Sequence, residues 1–145
     1  MISNIQKTIV LVLTILTGSI LAANGESEWI NIKNPEKVQK LVNGKTMDGK
    51  YWMHYYRGDG NMAYYYVATK AMSVRKWKVE SDGKLCVAIF KKPDRVIDCF
   101  NVLQAKDDTT KFQLKWSSGI NAFQLLDEPP ENMAKAVNDI AGKIQ

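Results

Sequence analysis

The chain predicts a mainly β domain with flanking helices (α+β). Its centre is an antiparallel meander of six or seven strands, curled into a cup or partial barrel. Three observations carry this. Between residues 50 and 126, short apolar and aromatic runs alternate with Gly-, Asp- and Pro-bearing turns at intervals of about ten residues. The connections are too short for crossover helices, so neighbouring strands pair antiparallel. A helical apolar stripe stands on each side of this region.

Taken in order, residues 1–8 form a short polar start carrying Lys7, residues 9–21 an apolar stretch, and Ala22 and Ala23 a small-residue end. This is the pattern of an export signal over residues 1–23, cleaved after Ala22 or Ala23. The apolar run is too short for a membrane-spanning helix, which needs about 20 apolar residues. No cysteine follows it, which argues against a lipoprotein. Residues 24–145 are then one domain, placed in the periplasm or outside the cell, with no transmembrane anchor and expected as a monomer.

Trp29, Ile30 and Ile32 are expected to pin the N-terminal arm to the core. Asn34-Pro35-Glu36 starts a helix, with Asn as N-cap and Pro at the first helical position. Val38, Leu41 and Val42 give it one apolar stripe, and Gly44 stops it. The strand candidates follow at 51–57, 62–69, 72–79, 84–90, 95–103, 111–116 and 120–126. The intervening turns are 58–61, 81–83, 92–94, 107–109 and 117–119. Asp82-Gly83 suits a tight hairpin because both residues tolerate positive φ. Pro129 and Pro130 open a second helix, whose Met133, Val137, Ile140 and Ile144 form one apolar face for packing on the sheet.

Charge narrows the function classes. Nineteen cations and all 15 acids fall after residue 23, a net charge near +4, and Arg57, Arg75 and Arg95 are the only arginines. Lysine covers surfaces well but reads phosphate and bases less specifically than arginine. Export and mild charge argue against nucleic acid as a partner.

Cys86 and Cys99 are the only cysteines. If their strands pair symmetrically about the Lys92-Pro93 loop, partner numbers sum to 185, as do 86 and 99. Counting outward from 91:94 as a hydrogen-bonded closing pair, 86:99 is a non-hydrogen-bonded pair, where side chains approach closely. That suits a cross-strand disulfide closing a loop of about 14 residues, worth roughly 3 kcal/mol. The alternatives are a redox couple, half a metal site, and bonds to other chains. The pair is not Cys-x-x-Cys, and zinc wants four ligands while the single histidine, His54, lies far away in sequence.

The densest feature is aromatic. Tyr51, Trp52, Tyr55 and Tyr56 lie on one strand and Tyr64, Tyr65 and Tyr66 on the next. Pairing about a 58–61 loop puts Tyr51, Met53, Tyr55, Tyr64 and Tyr66 on one face. Trp52, His54, Tyr56, Tyr65 and Val67 share the other. One face is expected to be core and the other to line a cavity or form an adhesive patch, since Tyr and Trp combine apolar area with a polar tip. The candidate ligand-binding residues are therefore Trp52, His54, Tyr55, Tyr56, Tyr64, Tyr65 and Tyr66.

Lys70, Arg75, Lys76 and Lys78 form a basic stretch whose apolar alternation changes phase between Val74 and Trp77, predicting a bulge near Arg75-Lys76. The bland account is a solvated strand face; the functional one is attraction to an anionic envelope surface. Arg57-Gly58-Asp59 spells an integrin-binding tripeptide, but a Gly-Asp-Gly turn needs no such reason. Asp98 is expected to face away from Cys99, toward solvent. No phosphate-gripping Gly-rich loop and no Gly-x-Ser-x-Gly occurs. The expectation is a non-enzyme with no cofactor and no metal site.

Tyr56-x-x-Asp59-Gly60, Trp77-x-Val79-x-x-Asp82-Gly83-x-Leu85-Cys86 and Asp98-Cys99-x-x-Val102 resemble a family of small exported bacterial proteins, the domain of unknown function numbered 995. The resemblance covers roughly residues 41–102. It departs at Arg75-Lys76, where a Gly is expected, and after Cys86, where a Trp is expected and Phe90 is the nearest aromatic. It implies export, a β-rich fold and a structural disulfide, and it implies no activity.

These observations predict an exported bacterial binding module, non-enzymatic, using an aromatic-lined sheet surface or cavity. Its partner would be a small apolar ligand or an envelope component. The alternative is a secreted protein-interaction factor: an inhibitor, an immunity protein or a host-directed protein.

Overall fold

The computed structural model describes residues 27–141. The expected export signal lies outside the described residues, as does Ile144. Nine strands and two helices follow one another: β1 (Trp29–Asn31), α1 (Pro35–Val42), β2 (Thr46–Gly49), β3 (Trp52–Tyr56), β4 (Asn61–Tyr66), β5 (Ala71–Val79), β6 (Leu85–Ile89), β7 (Lys92–Ala105), β8 (Phe112–Trp116), β9 (Gly119–Leu126) and α2 (Glu131–Ala141).

Every strand from β2 to β9 pairs antiparallel with its sequence neighbour, and β9 pairs back onto β2. The result is a closed eight-stranded up-and-down barrel, more complete than the expected partial barrel. The seven expected strands correspond to β3 through β9; β1 and β2 were not expected. β2 carries Asp48 and Gly49, both poor strand formers. It is a strand because β3 and β9 hydrogen-bond to its two edges, with Met47 opposite both His54 and Leu125.

The interior is apolar. Tyr56, Met62, Leu85, Val102 and Leu114 are essentially fully buried, with Trp77 beside Tyr56 in an edge-on contact at 5.4 Å. This apolar-inside, mixed-outside pattern is the reverse of a membrane-spanning barrel. Among the described residues, no helix is long and apolar enough to cross a membrane.

Two helices cover the barrel. In α1, the Asn34 side chain accepts a hydrogen bond from the Lys37 backbone N–H at 2.9 Å, and Pro35 occupies the first turn. Val38 and Val42 are fully buried in the same core as Tyr56 and Trp77, so α1 closes one end. β1 lies on the second half of β7. Ile32, just beyond it, is buried, whereas Ile30 is exposed, so only part of the expected apolar anchor reaches the core. In α2, Met133 and Val137 are fully buried against Ala63, with Met53, Tyr55, Tyr65, Met72 and Val74 around them. Helix α2 therefore packs on the outer wall of β3–β5.

Three local expectations are corrected. In the β3–β4 hairpin, Asn61 belongs to the strand: Arg57 N–H donates to the Asn61 carbonyl, Gly60 N–H donates to the Arg57 carbonyl, and Gly60 holds φ +82°. The loop is one residue shorter than expected, and a one-residue slip exchanges faces. His54 thus opposes Tyr64, and Met53 opposes Tyr65. In the β6–β7 hairpin, Cys86 opposes Cys99 as expected and the two are disulfide-bonded, with Cα atoms 4.1 Å apart. The 91:94 closing pair is not formed; the turn is at Phe90-Lys91 and Ile89 opposes Lys92. Register shifts between Val87 and Ile89 absorb the extra residues, so Lys92-Pro93-Asp94 opens β7 instead of forming a loop. Finally, β5 pairs with β4 and β6 in unbroken register, without a bulge at Arg75-Lys76. The phase change has another origin: Met72 and Val74 lie outward beneath α2, while Trp77 and Val79 belong to the interior core.

Gly83 marks where the N-terminal arm crosses the β5–β6 turn. A Cβ there would stand 2.7 Å from the backbone of Ile32 and Lys33, and its φ is +83°. Gly83→Ala is expected to cost about 2 kcal/mol or more in denaturant unfolding, through that clash and the positive φ. The double variant Cys86→Ser, Cys99→Ser is expected to lose about 3 kcal/mol and to keep its barrel circular-dichroism spectrum.

Candidate functional site

The end of the barrel opposite α1 is open. Between its walls lies a cavity of 260 Å³. Trp52 and Tyr64 form one wall, Phe100 and Trp116 the facing wall, and Val87 and Leu114 lie between them. The strand period of two explains this collection: each of these residues sits at an inward position on a different part of the ring. Phe100 and Trp116 meet edge to face with centroids 6.0 Å apart. Two larger depressions, of 320 Å³ against α1 and 1110 Å³ across β2, β8 and β9, are shallow and lie on the outside.

His54 is 4% exposed and stacks on Trp52, with centroids 4.3 Å apart and planes at 29°. Burial, aided by the nearby Arg75 guanidinium, pushes its pKa down to about 3, so the imidazole is neutral across the physiological range. Its Nδ1 lies 2.9 Å from the Tyr56 hydroxyl. Burial pushes that phenol far above its ordinary pKa, so it keeps its proton. The neutral hydroxyl and Nδ1 share one hydrogen bond, whose direction is set by the imidazole tautomer. Nε2, on the ring edge away from Tyr56, has no hydrogen-bond partner among the described residues. Ser73 Oγ, across the ladder from Tyr64, is likewise buried without one. Unpaired buried polar groups cost about 1–3 kcal/mol each, so such atoms mark places where a ligand's polar group is favoured.

Arg75 faces this same space. Its guanidinium lies 4.4 Å from the Tyr64 ring centroid, and it enters no ion pair among the described residues. The expected basic strand face is thereby split: Arg75 lines the cavity, while Lys76 reaches the Asn61 side chain at the other end of the strand. Asp98 does face away from Cys99, but that direction is the barrel mouth, where it lines the cavity with Ile97 and Asn121.

The expected ligand residues divide three ways. Trp52, His54 and Tyr64 line the cavity, and Tyr56 sits beneath them as the partner of His54. Tyr66 stands at the rim, 37% exposed. Tyr55 and Tyr65 point outward and are packed under α2, so they are not at the site. The two aromatic faces of the hairpin thus have two uses, one as cavity wall and one as seat for a helix. Arg75, Phe100, Trp116 and Asn121 join the site unannounced by the sequence analysis. Inward alternation along β7 and β8 is the only signal that pointed to Phe100 and Trp116.

The remaining motifs are structural. The disulfide ties β6 to β7 on the outer side of the wall, away from the cavity. Arg57 pairs with Asp59 and donates to the Asn138 side chain of α2 at 2.6 Å, so that tripeptide is engaged within the chain. Of the motif residues, Tyr56, Trp77, Leu85 and Val102 are core residues toward the closed end. Among the described residues, no group of three or more His, Cys, Asp or Glu is placed to hold a metal ion.

The histidine makes a pH prediction. Its folded pKa of about 3 lies below the ordinary 6.5, so between those values the unfolded chain binds the extra proton. Stability is therefore fully present above pH 6.5 and falls as pH drops, by up to about 1.4 kcal/mol per unit. Urea titrations between pH 7 and about 5, above the range where carboxylates dominate, should show this slope in the parent and not in His54→Gln. An equal slope in both would remove His54 as its source.

Searches against protein-family models, curated proteins and solved structures found no match to this chain, so its site rests on its own geometry.

Proposed function

We propose that this is an exported, non-enzymatic binding module that holds one small amphipathic molecule in the mouth of its barrel. The aromatic or apolar body of the ligand lies between the Trp52/Tyr64 and Phe100/Trp116 walls. Its hydrogen-bond acceptor, best an anionic group, meets Arg75, and a polar group of the ligand pairs with Nε2 of His54. The observation that supports this most is a half-enclosed aromatic cavity holding a cation without an ion pair among the described residues and an unpartnered buried imidazole nitrogen. Small eight-stranded barrels either fill with side chains or hold one small ligand. At 260 Å³ the cavity falls just below the roughly 300–1,000 Å³ usual for drug-sized ligands, which favours a ring-sized molecule over a two-chain lipid. Export is supported by the apolar N-terminal segment and by a disulfide that persists in oxidising compartments.

The test is calorimetric. 2-Naphthoate is expected to bind more tightly than neutral 2-naphthylmethanol, by about tenfold or more, as for a hydrogen bond to a charged group. Arg75→Met should erase that preference while the neutral compound still binds. Native mass spectrometry of protein from its own host should show an added small-molecule mass. A ligand-free mass together with no binding of either compound would reject the proposal.

A further inference from the structure

Charge is segregated along the barrel axis. At the mouth, the four loops between β2 and β3, β4 and β5, β6 and β7, and β8 and β9 lie side by side. Together with the first residues of β7 they carry Lys50, Lys70, Lys91, Lys92 and Arg95 against two acids, Asp94 and Asp98, and all seven are exposed. None of these five cations is in an ion pair among the described residues. The pairs that are present lie at the closed end, such as Lys45–Asp127, Lys84–Asp82 and Lys111–Asp108, or on α2 as Lys135–Asp139. The closed-end turns also hold Glu80, Asp107 and Glu128, while α1 and its approach add Lys33, Lys37 and Lys40, so acids and cations balance at that end.

Apolar exposure follows the same axis. Tyr51, Tyr66, Val67, Val96, Ile97 and Ile120 are 37–52% exposed, and all stand at the mouth. Ile30, on β1, is the other large apolar residue exposed among the described residues. Lys50 also lies against the Tyr51 ring, 5.1 Å from its centroid. Unpaired cations interleaved with protruding aliphatic and aromatic side chains, ringed around one opening, match a flat anionic interface with an apolar layer beneath it. The cations come from three neighbouring loops of the rim, Lys50, Lys70 and the Lys91–Arg95 hairpin, with protruding apolar side chains among them.

We propose that the open end of the barrel docks on an anionic lipid surface, with Lys50, Lys70, Lys91, Lys92 and Arg95 at the headgroups and Ile97, Val67 and Ile120 inserted between them. Docking places the cavity mouth against the membrane. It does not depend on the cavity being filled, so the two proposals stand or fall separately.

The experiment is flotation of the protein, purified from its own host, with vesicles of phosphatidylcholine alone or mixed with phosphatidylglycerol. Binding to the anionic vesicles, released by salt, is expected. Each lysine contributes about fivefold to partitioning near an anionic surface, so Lys91→Gln with Lys92→Gln should weaken binding about 25-fold. Ile97→Asp should weaken it further, while Lys106→Gln with Lys111→Gln at the closed end should not. Arg75→Met, which tests the cavity, should leave vesicle binding intact. Thermal melts of each variant confirm that it is folded. Equal binding to both vesicle types, or equal loss from the closed-end pair, overturns the proposal. So does a co-purifying protein that shields Lys91 and Lys92 from acetylation while vesicles do not.

Discussion

Closure of the ring rests on four residues. Thr46–Gly49 present one backbone edge to β3 and the other to β9, and without them the meander is an open sheet with two free edges. Closure does more than satisfy hydrogen bonds. It turns one face of every strand into a shared interior, so residues distant in sequence, such as His54 and Phe100, come within 6.4 Å. The disulfide and both helices act on a wall that closure has already defined.

That interior is unequal along its length. Toward α1 it is filled by Tyr56, Met62, Trp77 and Leu85, with Val38 and Val42 above them. Toward the mouth the side chains remain large, but they line space instead of filling it. His54 stands at the boundary, bonded downward to Tyr56 and unpartnered on its other edge. Keeping a neutral buried histidine and an inward arginine at the cavity carries a desolvation cost. Burial of such groups is better explained by something they bind than by stability.

Legibility varied with the range of the interaction. The strands of the meander, the Asn34 cap, the Cys86–Cys99 register and the α2 stripe depend on neighbours in sequence or on one hairpin, and each was readable. β2 was not, because Asp48 and Gly49 have weak strand preference and its second edge is paired only when β9 arrives. The faces of the tyrosine hairpin were misassigned by one loop residue, since Gly60 and not Asn61 ends the turn. Trp52, His54 and Tyr64 were recognised as ligand candidates, whereas Arg75 looked like part of a solvated basic strand.

The amino-acid order alone determined that this is a β meander with a cross-strand cysteine pair, a capped helix before it and an amphipathic helix after it. Those features follow from local periodicity, turn chemistry and spacing, which act before the chain has folded. Only the tertiary structure decided that the sheet closes, which aromatic face looks inward, and that Arg75, Phe100 and Trp116 share a cavity with His54. Each of those outcomes depends on pairing between strands far apart in the chain, and alternation assigns side chains to two faces without saying which face becomes the inside.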